Sequence, residues 1–246
     1  MYKTNKQLNR IALITGGNRG LGLELCRQLL RIGFTVLLTS RDLKKGMHAA
    51  ETLREEGGNI FFHELDVVSL KSINKLKKFI LKKFKRLDVL INNAGIMLDH
   101  RSHNNSKKFS IYDISMNSLT STMKTNVFGP FLMCQSFIPI MKKNNYGRIV
   151  NISSKAGQLS KVSKGVPMYR LSKVSLNGVT RVFSDEKNNK NILINSVCPG
   201  WVKTSMGGPN ALLEPAKAIK TIIWLATLGN NGPTGGFFSE KKKIKW

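Results

Sequence analysis

The stretch Ile11-Ala12-Leu13-Ile14-Thr15-Gly16-Gly17-Asn18-Arg19-Gly20-Leu21-Gly22 decides the fold. A short apolar run of strand character enters a glycine turn. An apolar stripe of helical period then follows at Leu21, Leu25, Leu29 and Ile32. Strand, turn and helix in that order bring free backbone N–H groups and the positive end of a helix dipole to one point, where an anion is welcome. Gly16, Gly20 and Gly22 lack the Cβ that would keep a pyrophosphate away. The spacing is G-x-x-x-G-x-G, whereas the commoner dinucleotide fingerprint is G-x-G-x-x-G. A glycine turn alone can be a plain tight turn; its place between a first strand and a first helix argues for a dinucleotide.

The alternation continues outward. Further strands are expected at 34–39, 60–65, 87–91, 148–152 and 192–197, with a short last one at 236–238. Helical periodicity marks 49–56, a lysine-rich segment at 71–86, a long stretch at 115–142 broken near Gly129-Pro130, and segments at 168–186 and 213–228. This pattern gives an α/β chain: one Rossmann-type, doubly wound parallel sheet of about seven strands with helices on both faces. No linker or repeat interrupts it, so 1–246 reads as a single domain.

Composition agrees. In 246 residues, 41% are hydrophobic, enough for a full core and too many for a disordered chain. No run approaches the ~20 apolar residues of a membrane helix, and the polar start shows no targeting segment. Cys26, Cys134 and Cys198 are far apart and in apolar settings, as reduced thiols of a cytoplasmic protein would be. Forty Lys and Arg against fourteen Asp and Glu leave a net charge of +26. These cations are scattered, and the densest run, 71–86, interleaves lysines with Ile73, Leu76, Phe79, Ile80 and Phe84 as a solvated face over a buried stripe. No specific nucleic-acid partner is expected. The tail Lys241-Lys242-Lys243-Ile244-Lys245 reads as a short charged end.

The end of the second strand chooses the nucleotide. NAD sites place an acid there for the ribose 2′-OH. Here the chain reads Thr39-Ser40-Arg41, with Arg19 in the glycine turn, and two guanidiniums fit a 2′-phosphate, favouring NADP(H). Asp42 is the counter-evidence: it either meets a 2′-OH or caps the next helix. Farther on, Tyr169 and Lys173 stand at i and i+4, on one helix face, just after Pro167 at a helix start. An ammonium one turn away, the helix dipole and a nicotinamide cation would lower the phenol's pKa from its ordinary ~10. Asn92-Asn93-Ala94-Gly95, Ser153-Ser154 and Pro199-Gly200 each follow a strand, and ligands of such sheets bind beyond those carboxyl ends.

Taken together, these motifs resemble those of the short-chain dehydrogenases/reductases over residues 11–238, and within that family the NADPH-dependent carbonyl reductases. The resemblance implies that Tyr169 donates a proton to a substrate carbonyl and Ser154 hydrogen-bonds the reacting oxygen, with Ser153 as rival. By the same resemblance, Lys173 holds the nicotinamide ribose and Asn126 positions the water of a proton relay. Asp66, with Val67, would meet the adenine, and Asn92, Ala94 and Gly95 would flank the adenine ribose. Gly16, Asn18, Arg19, Gly20, Leu21, Gly22 and Arg41 would hold the phosphates, and Val202 and Thr204 would meet the carboxamide and phosphates, with Pro199 and Gly200 as further cofactor contacts. Substrate loops are expected at 96–112, 155–168 and 201–213, with Trp201, Met206 and Met168 as an apolar wall.

The best-known animal members carry a long insertion between the serine and the tyrosine. Here the two are 15 residues apart, which leaves two long helices free to pair in a homodimer or homotetramer. The four histidines have no metal-ligand spacing. The alternatives are a reductase of acyl-carrier or steroid-like ketones, a non-catalytic dinucleotide binder and a polyanion binder.

Overall fold

The computed structural model describes residues 10–99, 111–162, 165–186 and 191–246. Eight strands form one sheet: β1 (Ile11–Ile14), β2 (Thr35–Ser40), β3 (Ile60–Glu64), β4 (Val89–Asn92), β5 (Gly147–Ile152), β6 (Ile192–Val197), β7 (Phe237–Ser239) and β8 (Lys242–Ile244). Their order is β3-β2-β1-β4-β5-β6-β7-β8. Every pairing is parallel except β7 with β8. The eighth strand is a correction to the sequence reading: Lys242 and Lys243 pair with Ser239 and Phe238, and the tail turns back through Glu240 and Lys241, both at positive φ.

The central strands are apolar on both faces because both are covered. In β1, Ala12 and Ile14 pack into one core with α1 (Gly20–Arg31), while Ile11 and Leu13 join a second with α3 (Leu70–Lys83). Leu25 and Leu29 of α1 are fully buried, each contributing about 1.5–3 kcal/mol. The helix α2 (Leu43–Glu55) starts at Leu43, where Asp42 accepts a hydrogen bond from Lys45 N–H and caps it. The segment expected as one helix at 213–228 is α7 (Pro215–Ala218) followed by α8 (Lys220–Ala226).

The long helical stretch consists of α4 (Met116–Met123), one π turn (Lys124–Phe128) and α5 (Gly129–Lys143). Its irregularity precedes the expected break. Gly129 N–H donates to Lys124, five residues back, and Pro130 has no N–H to offer Asn126. Position 129 must be glycine, since a Cβ there would lie 2.8 Å from Val67. The last long helix, α6 (Pro167–Ser184), packs against β6 and carries Tyr169 and Lys173. Strand order reverses between β1 and β4, and the open crevice of such a sheet lies there.

Candidate active site

The glycine turn is knitted to the end of β4. Thr15 Oγ1 accepts from the N–H groups of Asn93 (3.0 Å) and Ala94 (2.9 Å), and Asn93 Nδ2 donates to the carbonyls of Thr15 (2.9 Å) and Gly16 (3.0 Å). Gly16 and Gly20 are in the left-handed region at φ 64° and 54°. A Cβ on Gly22 would sit 2.3 Å from the Gly16 carbonyl oxygen. Arg19 precedes α1 without a side-chain cap, so the first-turn N–H groups of that helix stay open to an anion.

One cleft of about 980 Å³ opens over this turn. It is lined by Gly16, Asn18, Arg19, Gly20, Leu21, Gly22, Arg41, Asp66, Val67, Ala94 and Gly95 on one side of the sheet switch. On the other it is lined by Ser154, Tyr169, Lys173, Pro199, Gly200, Trp201, Val202 and Thr204. Of the candidate catalytic and cofactor residues only Asn92 and Asn126 lie off it. Asn92 is buried the other way: Nδ2 donates to Asn151 Oδ1 on β5 (2.8 Å), so the expectation that it meets a ribose is corrected. Its neighbour Asn93 lines the cleft. Asn126 stands just behind the wall, with Oδ1 accepting from Ile96 N–H (2.8 Å) and Nδ2 donating to the Ile96 carbonyl (2.8 Å) and Ser172 Oγ (3.0 Å).

At the 2′ corner Asp42 caps α2, pairs with Lys45 Nζ at 3.2 Å and also lines the cleft. Lys45 also lines the cleft, a third cation beside Arg19 and Arg41 that motif reading missed. Its signal was available: the third residue after a cap lies on the helix's first turn.

At the other end, Lys173 is 5% exposed and donates from Nζ to the Ile152 carbonyl at 2.7 Å. The ammonium lies 5.3 Å from the Tyr169 ring centroid. Room for it comes from Gly157, where a Cβ would strike the Lys173 backbone at 2.6 Å. Burial pushes the Lys173 pKa down to about 8, and its electrostatic interaction with Cys198 opposes the fall. Burial also pushes the Tyr169 phenol above its ordinary value, the interaction with Cys198 adds to this, and the Ser154 side chain pulls it back. In the chain itself the phenol therefore lies above its ordinary value, because desolvation of the phenolate is the largest effect. Ser154 Oγ also accepts from Ala156 N–H at 3.1 Å. Ser153, its rival, is 1% exposed and its hydroxyl, at the cleft wall, has no protein partner.

The apolar wall is narrower than expected. Trp201 lines the cleft, about half exposed, with Nε1 donating to the Gly207 carbonyl at 2.8 Å, and Met206 lies nearby. Met168 is buried away from it. Of the expected substrate loops, residues 100–110 and 163–164 lie outside the described residues. Among the described residues no cluster of His, Cys, Asp or Glu could hold a metal ion, and no helix is long and apolar enough to cross a membrane.

A glycine turn at a sheet switch and a Ser–Tyr–Lys group beyond β5 define a class. The family described as short chain dehydrogenase matches residues 10–212, and the chain belongs to it. It is 35% identical to (+)-neomenthol dehydrogenase of Arabidopsis thaliana, over 95% of this chain and 97% of that one. It is 33% identical to carbonyl reductase [NADPH] 1 of Homo sapiens, over 96% and 98%. Among solved structures, carbonyl reductase Sniffer of D. melanogaster superposes with a TM-score of 0.85 at 31% identity, over 97% of this chain and all of that one. An NADPH-bound carbonyl reductase from chicken fatty liver gives 0.84 at 27% identity, over 98% and 100%.

Proposed function

We propose that the protein reduces a small carbonyl compound (an aldehyde, ketone or quinone) to an alcohol with NADPH, Tyr169 giving the proton. One observation carries this reading: Ser154, Tyr169 and Lys173 converge on the same cleft as the glycine turn. The chain's residues fit the cofactor. The cradle at Gly16, Gly20 and Gly22 is one that Cβ atoms would crowd, and Arg19, Arg41 and Lys45 gather where a 2′-phosphate would lie. When bound, the reduced nicotinamide supplies the hydride. Ser154 and Tyr169 then hold the substrate oxygen between two hydroxyls, and the phenol proton neutralises charge as it develops there. Lys173 is the adjacent cation. The Asn126 side chain fastens Ile96, and Pro130, four residues on, has no N–H for the Asn126 carbonyl, which suits the relay water assigned to this position. Asp66 and Val67 would take the adenine, Ala94 and Gly95 the ribose, and Pro199, Gly200, Val202 and Thr204 the carboxamide side. Trp201 and Met206 give the substrate an apolar wall.

The reading takes residues 1–246 as one dinucleotide-binding domain, with substrate loops at 96–112, 155–168 and 201–213. Three free, buried cysteines suit a reducing compartment such as the cytoplasm. Phe131 on α5 and Leu171 and Val182 on α6 are exposed apolar side chains, which supports pairing of these helices in a homodimer or homotetramer.

The test is oxidation of NADPH against a panel of aldehydes, quinones and ketones, beside NADH. Substrate-dependent turnover with NADPH is expected; its absence across the panel sinks the reading. Arg41→Asp should lower kcat/KM for NADPH by about 10- to 100-fold and leave NADH little changed, the worth of one charge-assisted phosphate contact. Equal losses with both nucleotides would remove Arg41 from the 2′ corner.

The two shifted groups also set a pH profile. Tyr169, pushed up, keeps its proton through the neutral range, so the alkaline limb of kcat should belong to Lys173 and fall at about pH 8. Lys173→Arg should move that limb upward, and a limb that stayed in place would belong to another group. Stability runs the other way. The folded chain holds the lysine proton less tightly than the unfolded chain, whose lysine titrates at 10.5. Charged Lys173 therefore costs stability below pH 8, and that cost is shed between about 8 and 10.5 as activity is lost.

A further inference from the structure

We propose that Asp99 is a positioning residue for Tyr169: its carboxylate grips the start of α6 and sets where the phenol stands relative to the glycine turn. This rests on the function proposed above. Asp99 is 2% exposed, and its two oxygens accept from consecutive N–H groups of α6, Met168 at 2.9 Å and Tyr169 at 3.0 Å, across 69 and 70 residues of sequence.

The helix has no means of its own to satisfy that end. Pro167 at its first position has no N–H, so Met168 and Tyr169 are the first donors it presents, and both go to Asp99. The residue at the cap position, Val166, has no side-chain acceptor to offer, and no acid lies in the first turn. Val166 is also held at φ 40°, a left-handed conformation that a β-branched residue seldom adopts. Such a conformation persists where its surroundings impose it, and here Met168 and Tyr169, just beyond Pro167, are clamped.

The other end of the same segment explains why this matters for chemistry. From Asn93 to Asp99 the chain is fastened three times. Thr15 Oγ1 holds the N–H groups of Asn93 and Ala94 beside the glycine turn. The Asn126 amide holds Ile96 by both its N–H and its carbonyl. Asp99 then takes α6. Seven residues thus act as a strut between the two halves of the cleft, one carrying the dinucleotide turn and the other the tyrosine. Ala94, Gly95, Ile96 and Met97 of this strut line the cleft themselves. A carboxylate is the side chain suited to its end, because only it offers two acceptors to two parallel donors while complementing the positive end of the helix.

The experiment compares Asp99→Ala and Asp99→Asn with the wild-type chain. NADPH affinity is read by fluorescence titration, kcat is taken per bound NADPH, and the isotope effect on kcat is measured with NADPH deuterated at the transferred position. Affinity should stay within about threefold, because the phosphate contacts lie elsewhere. The kcat should fall by roughly 30- to 100-fold in Asp99→Ala and by about 10-fold in Asp99→Asn, which keeps one acceptor; small misplacements of reacting groups have effects of this size. The isotope effect should rise as the chemical step slows. A helix cap that only stabilised the fold would lower the melting temperature and leave kcat per bound NADPH and the isotope effect alone, and that result overturns the proposal. So does a parallel fall of affinity and kcat with no change in the isotope effect. Should Asp99→Ala lose NADPH binding through misfolding, Asp99→Asn decides on the same criteria. A wild-type chain without turnover sinks the enzyme reading itself, whereas an active wild type with unaffected variants sinks the role of Asp99 alone.

Discussion

Tyr169→Phe should lower kcat by about 10²- to 10⁴-fold while leaving NADPH affinity within about twofold. The substitution removes one oxygen and keeps the ring, which stacks its face toward Lys173 Nζ at 5.3 Å and sits in a wall built by α6. Melting temperature should therefore change little. In the site the lost oxygen interacts with the Ser154 side chain, which then has no phenol beside it. Without the phenol, the oxygen of a reacting carbonyl would gain charge beside a lysine already donating to the Ile152 carbonyl and a serine that can donate only one hydrogen bond. The rate should fall with no compensating change in KM for NADPH, since the hydroxyl acts in the transition state. Steady-state kinetics together with a cofactor titration read both quantities. Wild-type turnover in the phenylalanine variant would move the proton donor to another group, and with it the whole assignment of the α6 face.

Gly22→Ala should abolish useful cofactor binding, with an affinity loss above about 100-fold, and should lower stability by about 1–3 kcal/mol. The added methyl would lie 2.3 Å from the Gly16 carbonyl oxygen and 2.6 Å from Asn93 Nδ2. Neither can retreat cheaply. Gly16 O belongs to the turn backbone, and Asn93 Nδ2 is bonded to that oxygen and to Thr15 O. Relief must come from moving α1 away from β1 or opening the turn, and either displaces the N–H groups that would face a pyrophosphate. Gly178→Ala in α6, where nothing lies within 4 Å, is the control, and there the gain in helix propensity is up to about 1 kcal/mol. Thermal melting and NADPH titration of the two variants separate a local clash from a general intolerance of alanine. Unchanged binding in Gly22→Ala would mean that the turn does not hold the cofactor.

Both residues were legible from sequence because their roles depend on neighbours in the chain. The glycine spacing and the four-residue step from Tyr169 to Lys173 are local geometry, and the apolar runs of β1, β4 and β5 announce strands buried on both faces. What stayed hidden depends on parity or distance. Asn92 and Asn93 are adjacent and identical in type, so only the pleat of β4 decides that one points to Asn151 and the other to the glycine turn. Asp99 contacts residues some seventy positions away, with no motif to mark it. Met168 and Tyr169 likewise differ in which way a helix side chain faces, set by how α6 lies on the sheet. The upward shift of the phenol was invisible too, since burial is a property of the folded cleft. Strand β8 was missed for another reason: a lysine run has no apolar alternation, and only the turn at Glu240-Lys241 reveals that it doubles back.

That last strand gives part of the surplus charge a use. A parallel sheet ending at β7 would offer a bare edge of backbone donors and acceptors on which other chains could build. The hairpin instead puts Lys242 and Lys243, both exposed, along the outermost ladder, and lysines so placed repel an incoming strand of like kind. In a chain of such high positive charge, two molecules meeting edge to edge would bring matching cations together, so the segment guards the sheet against growing into a fibril.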